Sequence, residues 1–274
     1  MNSKNKIIYF CLIIFLTIND YQSAWSAETA PPLKLQKILK AGTLRVGVSL
    51  FTPWVFKDKK GKLTGFEIDV ANKFSKDMGV TPTFLIRDWE KLIPALLNDE
   101  IDIIIAGMAI TPQRALKVNF SQPYATAGTN LATNIALTKD IKNVEELNQK
   151  KIKIGVVAET VSQDLAKRIF KQASIISYKS PDEVKKDIVS GKIHAYMESK
   201  PIPLFISLEH PDKVDVPLSA PLLITKAGFA IKKGDGDFLN FLNSWIIARK
   251  ADTWLKSTHN YWFRTLKWRQ EPTQ

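Results

Sequence analysis

The sequence contains one cysteine, Cys11, three histidines, and no internal repeat or compositionally biased tract. A single thiol can form neither an intrachain disulfide nor a thiolate metal cluster. His194, His210 and His259 stand far apart on different predicted elements, so no histidine metal site is expected. Phosphate-loop, Gly-x-Gly-x-x-Gly, Gly-x-Ser-x-Gly and His-Glu-x-x-His signatures are missing, which removes common nucleotide-binding and hydrolytic classes. Asp235-Gly-Asp237 lacks the remaining ligands of a calcium loop and reads as a turn that caps the next helix. No cofactor is implied.

Long apolar runs are scarce as well. The longest, Ile7 to Ile18, falls short of the roughly 20 residues that span a bilayer as a helix. Lys4 and Lys6 precede it and a polar stretch ending in Ala24-Trp25-Ser26 follows, which is the pattern of a secretory signal peptide, residues 1–26, with cleavage after Ser26. Cleavage removes Cys11 together with two lysines, Lys4 and Lys6, and one acid, Asp20, so the net charge of +12 becomes +11. The remaining chain of about 248 residues has no thiol and is long enough to be held by its core alone.

The excess of base is not clustered. Lysines are scattered and often adjoin acids, and pairs such as Lys150-Lys151 and Lys185-Lys186 read as solvated faces. Trp245, Trp254 and Trp262 recur at roughly helical spacing among apolar residues, a core pattern rather than aromatics interleaved with a basic stripe. Nucleic acid is therefore not an expected partner. The charge can still steer small anions toward the protein.

Turn signals separate β-type runs from helix-period segments in a repeating alternation, which indicates α/β architecture. Leu33–Leu39 reads as a short helix stopped near Gly42, Thr43–Ser49 as a strand, and Lys57–Lys62 as a charged turn. Ile68, Ala71, Phe74 and Met78 fall at helical spacing before Gly79. Thr83–Ile86 is predicted as a strand, Trp89–Leu97 as a helix with Leu92, Ile93, Leu96 and Leu97 on one face, and Ile101–Ala106 as a buried parallel strand ended by Gly107. The second half repeats the rhythm: β structure over 127–137, a helix over 144–148, strands at 153–157, 175–178 and 193–197, and helices from about Ser162, after Ser180 and near 203–208. A strand over 227–231 and a mostly helical end follow, with Phe238, Leu242, Trp245 and Ile246 on one face. The stretch from Pro211 to Pro221 is a predicted crossing between two α/β lobes.

Several segments, in order, resemble the periplasmic solute-binding proteins of the polar amino-acid uptake type, family 3. They are Gly42-Thr-Leu-Arg-Val-Gly-Val48, Thr52-Pro-Trp54, Gly65-Phe-Glu-Ile-Asp-Val-Ala71, Asp88-Trp-Glu-Lys-Leu-Ile-Pro-Ala-Leu96, Asp102-Ile-Ile-Ile-Ala-Gly-Met-Ala-Ile-Thr-Pro-Gln-Arg114 and Val118-Asn-Phe-Ser-Gln-Pro-Tyr124. The resemblance covers about residues 36–263. It implies the two-lobed periplasmic binding protein fold of type II, each lobe a mixed, mostly parallel sheet flanked by helices, with two crossover strands and a ligand captured as the lobes close. Residues 33–126 plus 224–274 are assigned to lobe I and 127–223 to lobe II. The resemblance further implies a monomer in the periplasm that works with a membrane ABC permease and is not an enzyme.

A cleft for an α-amino acid needs donors for the carboxylate, an acceptor for the ammonium group and apolar walls. Backbone N–H groups of the Gly107-Met108-Ala109 loop can point at an anion, and Arg114 can pair with a carboxylate. In the family that loop and arginine hold the ligand carboxylate. Phe51 and Trp89 match the family's wall positions and lie at strand-to-helix junctions, while Trp54 reads as core or rim. The helix after strand 153–157 offers N–H groups of Glu159, Thr160 and Val161 from the other lobe.

This sequence departs from the family at ligand-reading positions. Ala109 replaces a usual threonine, Val157 a polar residue, and Glu159 and Val161 small residues. Ser199 stands where the family's aspartate meets the ammonium group, and Glu198 can substitute if the register shifts by one. Without such an acceptor an α-amino group would be buried unpaired, at high cost, so a related small carboxylate stays open beside an amino acid. An enzyme alternative is a cyclohexadienyl or arogenate dehydratase on the same fold, which needs a general acid in the cleft. The position of that family's catalytic glutamate holds Ile202, with Glu198 and Glu159 the nearby carboxylates. A ligand-binding component of a sensory system is a further alternative.

Overall fold

The computed structural model of the chain describes residues 33–265 and 267–269. The predicted signal peptide and its cleavage site lie outside the described residues. Helix α1, Lys34–Ala41, ends at Gly42, whose φ of +66° favours glycine. Strand β1, Thr43–Val48, follows, and the charged turn predicted at 57–62 joins β2, Phe56–Lys57, to β3, Leu63–Thr64. Helix α2, Phe66–Met78, buries Ile68, Ala71, Phe74 and Met78 as their spacing predicts and stops at Gly79 in the left-handed conformation.

Strand β4, Thr81–Ile86, pairs in parallel with β1 along its whole length. The next helix opens as a 3-10 turn, Trp89–Lys91, and continues as α3, Leu92–Leu97, with Leu92 and Leu96 buried and Leu97 turned outward. Residues 101–106 are all buried, though only β5, Ile103–Ile104, joins the ladder, parallel to β1. A short helix α4, Pro112–Ala115, capped by Thr111, precedes β6, Asn119–Phe120.

The chain then runs into the ten-residue strand β7, Ala125–Asn134. Its second half joins a second sheet, and it ends three residues earlier than the sequence predicts. Asn134 accepts the Leu137 N–H at 3.2 Å and starts the helical turn α5, Ile135–Thr138. The helix predicted at 144–148 is a 3-10 turn, Val144–Leu147. The second sheet is completed by β8, Lys153–Val157, β9, Ser174–Tyr178, and β10, Ala195–Ser199. Helices α6, Val161–Ile169, α7, Pro181–Val189, and α8, Ile202–Glu209, flank it.

The Pro211–Pro221 stretch is not the crossing. It carries β11, Val214–Asp215, which pairs with Asn134 and Thr133 on the second sheet. The return path is β12, Leu223–Ala227, antiparallel to Ala125–Thr129 of β7. A crossing that hydrogen-bonds along its length cannot use prolines, which have no N–H, and β12 has none. After β12 a break at Gly228 separates β13, Ala230–Ile231, so the strand predicted over 227–231 is divided.

The first sheet runs β4-β1-β5-β13-β6 and the second β11-β7-β10-β8-β9, with β12 on β7. Each has apolar clusters on its faces, for example Val46, Phe74 and Phe229 around the first sheet and Ile154, Leu165 and Met197 around the second. Helix α9, Gly236–Ala251, is capped by Asp235, as the Asp235-Gly-Asp237 turn predicts, and buries Phe238, Leu242, Trp245 and Ile246. After α10, Trp254–Asn260, the chain packs Trp262 into the core with its indole N–H on Asp69 at 2.7 Å. Trp268 then packs on Phe56, beside the first sheet, and Phe205, beside the second, and Arg269 donates to Glu209 at 2.9 Å.

Candidate functional site

The carboxyl ends of β1, β4 and β5 face those of β8 and β10 across a narrow cavity of about 40 Å3. Strand ends are the usual crevice of open α/β sheets. From the first sheet come Phe51, Trp54, Trp89, Ala106, Gly107, Ala109 and Arg114. Thr160, Val161, Glu198 and Ser199 come from the second, and Ala127 and Thr225 from the paired strands β7 and β12.

Arg114 leaves the short helix α4 and reaches back over the loop that carries Gly107. Its Nη1 donates to the Ala109 carbonyl at 3.0 Å and its Nη2 to the Glu159 carbonyl at 2.8 Å. The guanidinium lies 5.5 Å from the centroid of the Trp89 ring. Burial lowers its pKa from the ordinary value, while the charges of Asp164 and Glu159 oppose that shift. The Trp89 indole N–H also donates to the Glu159 carbonyl, at 3.1 Å. Glu159 adopts φ +57°, uncommon for a residue with a side chain, and its carbonyl thereby ties both groups of the first sheet to the turn between β8 and α6.

Glu198 is the buried acid of the cavity, 1% exposed. Its Oε1 accepts from the Ser199 N–H at 2.6 Å and from the Ser162 hydroxyl at 3.3 Å, and the Tyr196 hydroxyl donates to Oε2 at 3.3 Å. All these donors are neutral. Burial pushes the carboxyl up from 4.5 to about 7, against the lowering effect of the hydrogen bonds.

Several predicted contributions are placed differently. Met108 does not line the cavity; its side chain is buried in the core beneath the loop, 1% exposed. The Gly107 N–H donates to the Tyr124 hydroxyl at 3.2 Å rather than into the cavity. Glu159 has an exposed side chain outside the cavity wall, and its N–H donates to Gln163 Oε1 at 3.1 Å, so it contributes its carbonyl in place of an N–H. Thr160 lines the cavity, but its hydroxyl donates to the Val157 carbonyl and accepts the Gln163 N–H, capping α6. Phe51, Trp89, Gly107, Ala109, Arg114, Thr160, Val161, Glu198 and Ser199 are brought together.

The sequence reading misses Ala106, Ala127 and Thr225, and assigns Trp54 only to core or rim. Trp54 is both buried, 4% exposed, and part of the wall. A Cβ on Gly107 would approach its ring to 2.8 Å, so the glycine lets loop and indole pack. Small residues on a crossover strand carry no sequence signal, whereas the Gly107–Trp54 approach requires the fold to be known. Behind the loop, Glu67 receives the Tyr124 hydroxyl at 2.8 and 2.9 Å, which accounts for the glutamate of the Gly65–Ala71 motif. No group of acids, histidines and cysteines able to hold a metal ion occurs among the described residues. Nor is any helix among them long and apolar enough to cross a membrane.

The fold and this cavity have known counterparts. An ancestral amino acid-binding protein described as a precursor of cyclohexadienyl dehydratase is 35% identical, with a TM-score of 0.78 over 85% of this chain and 100% of that one. A lysine complex of a binding component assigned to an ABC transporter of Wolinella succinogenes is 33% identical, with a TM-score of 0.78 over 84% and 99% of the two chains. The L-cystine-binding protein of Escherichia coli is 26% identical over 230 residues, 84% of this chain and 85% of that protein. The two-sheet architecture is thus the two-lobed periplasmic binding protein fold of type II. Residues 44–265 match the bacterial extracellular solute-binding proteins, family 3, and the chain belongs to that family.

Proposed function

We propose that the protein is the periplasmic substrate-binding component of an ABC-type uptake system, which closes its two lobes on an amino acid or related small carboxylate and delivers it to a membrane permease. It is exported by the signal peptide of residues 1–26 and acts as a monomer, with lobe I formed by 33–126 and 224–274 and lobe II by 127–223. The observation that carries this reading is one cavity with one cation, Arg114, on the first-sheet side and one buried carboxyl, Glu198, on the second. Those two groups complement the carboxylate and the ammonium of a zwitterion, and the aromatic walls suit its body. Arg114 already holds two backbone carbonyls and turns a remaining N–H edge to the ligand. Ser199 leaves the ammonium to Glu198.

A thermal-shift screen against amino acids, their deaminated analogues and other small carboxylates tests the reading. A ligand at about 100 times its dissociation constant adds roughly 2.7 kcal/mol to stability. Stabilisation by an amino acid but not by its deaminated analogue is expected; no stabilisation by any member would remove the uptake reading.

A dehydratase reading rests on one observation, that the cavity carboxyl of Glu198 is held protonated up to about 7 and so resembles a general acid. Against it, Ile202, at the position of the dehydratase glutamate, is 7% exposed and faces the cluster around Ile206 rather than the cavity. Turnover of prephenate or arogenate by the purified protein would establish this second reading; binding without turnover is expected.

A further inference from the structure

The relatives with known ligands include one that holds lysine, whose side chain brings a second positive charge into the cavity. Among the described residues, the charged side chains lining the cavity are Arg114 and Glu198 alone. If the ligand's carboxylate pairs with Arg114 and its ammonium with Glu198, as proposed above, both are taken by the α-carbon substituents. The side chain then meets Phe51, Trp54, Trp89, Ala127 and Val161, with the uncharged Thr225 beside them.

Acids near the cavity do not change this balance. Glu159 and Asp164 have exposed side chains and act on the Arg114 guanidinium. Asp182 and Glu209 line a separate cleft beyond Phe51, together with Lys57 and Lys185, and Glu209 is paired with Lys185 and Arg269. At the end of β1, where the chain enters the cavity, stand Ser49 and Leu50, with no carboxylate. A cationic side chain would be enclosed among aromatic rings and aliphatic groups with no counter-charge, and a buried unpaired charge is strongly unfavourable. An anionic side chain would compete with the α-carboxylate for Arg114, which already serves two carbonyls.

We infer that the ligand is an α-amino acid with an uncharged, largely apolar side chain, and that the cavity rejects lysine and arginine for want of a second carboxylate. This rests on the amino-acid reading above and narrows it.

Calorimetric titration of the purified protein at pH 8 with L-leucine, L-methionine and L-phenylalanine, against L-lysine, L-arginine and L-glutamate, tests the inference. At least one neutral amino acid is expected to bind about 100-fold or more tighter than either cationic one, the fold-change that corresponds to about 2.8 kcal/mol. Equal or tighter binding of lysine or arginine would overturn the inference and leave the amino-acid reading standing. Equal binding of leucine and its deaminated analogue 4-methylpentanoate would instead overturn the amino-acid reading, as would failure of every amino acid to bind. Glu198→Gln separates the remaining geometry. It is expected to weaken neutral and cationic ligands by similar factors; selective loss of lysine with leucine unchanged would place Glu198 on the side chain and overturn the inference.

Discussion

Two glutamates are buried on opposite sides of the cavity wall, and their surroundings differ in one respect. Glu67, on α2, is sealed behind the loop of Gly107, bonded to the Tyr124 hydroxyl, which itself accepts the Gly107 N–H. Burial lifts its carboxyl to about 8, against hydrogen bonds that lower it. Glu198, on β10, has a tyrosine hydroxyl too, from Tyr196, and its carboxyl is lifted to about 7, but it borders the cavity. Both are carboxyls whose neutral form is favoured by burial, against hydrogen bonds from neutral donors. A ligand ammonium can reach one of them and not the other, so we assign Glu67 a structural role and propose Glu198 as the acceptor for a ligand.

Glu67→Ala should have the largest effect, a loss of about 3 kcal/mol or more in urea denaturation, because it empties a filled site and strips the Tyr124 hydroxyl of its acceptor. Glu67→Gln should recover most of that loss. A Glu67→Ala protein as stable as the parent would erase the structural role assigned to this residue. Glu198→Gln should behave in the opposite way, with folding stability at pH 8 unchanged or raised and amino-acid affinity reduced by about 3 kcal/mol, roughly 150-fold. Arg114→Ala should cost about 1.5–3 kcal/mol of affinity in the same titration, the scale of a charge-assisted hydrogen bond; unchanged affinity would remove Arg114 from the ligand.

The pH dependence sharpens the contrast further. Both folded-state pKa values lie above the ordinary 4.5, so the stability due to the neutral carboxyls is fully present below that value. It is lost as pH rises through about 7 for Glu198 and about 8 for Glu67. Melting temperature without ligand should therefore decline across that range, with a shallower decline in Glu67→Gln. Ligand affinity should run the other way, because an ammonium favours ionised Glu198, and should fall as pH drops below about 7. The groups facing Glu198 are Ser162 from α6, Tyr196 and Ser199 from β10, and Asn130, its partner on β7, none of which titrates in this window. Calorimetry at pH 6 in two buffers of different ionisation enthalpy should detect proton release on binding. The release should vanish in Glu198→Gln and persist in Glu67→Gln.

Much of the fold is legible in the sequence because the local pattern and the final burial agree. Ile68, Ala71, Phe74 and Met78 mark α2, Phe238, Leu242, Trp245 and Ile246 mark α9, and Gly79 ends α2 where its left-handed backbone is needed. The crossing was less legible. Leu223–Ala227 is a short, half-exposed strand, and only its pairing with β7 reveals that it returns the chain to the first sheet. Site residues divide in the same way. Phe51, Trp89 and Arg114 follow strand ends visible in the sequence, whereas Trp54 reaches the wall through its packing on Gly107, and Ala127 and Thr225 through the approach of two crossover strands.

The sequence by itself determined the α/β alternation and the segments that make the two sheets, since these follow from periodicity, turn residues and order along the chain, and its family resemblance pointed to the residues around Gly107 and Arg114. Tertiary structure alone decided which polar groups are already satisfied. The Gly107 N–H goes to Tyr124, the Glu159 N–H to Gln163, and the Arg114 guanidinium to the carbonyls of Ala109 and, across the cleft, Glu159, as hydrogen bonds formed at 2.8–3.2 Å. It also decided the surroundings of Glu198 on which its proposed role rests, because a carboxyl becomes an acceptor for a buried ammonium only where neighbouring strands exclude water and bring no competing cation.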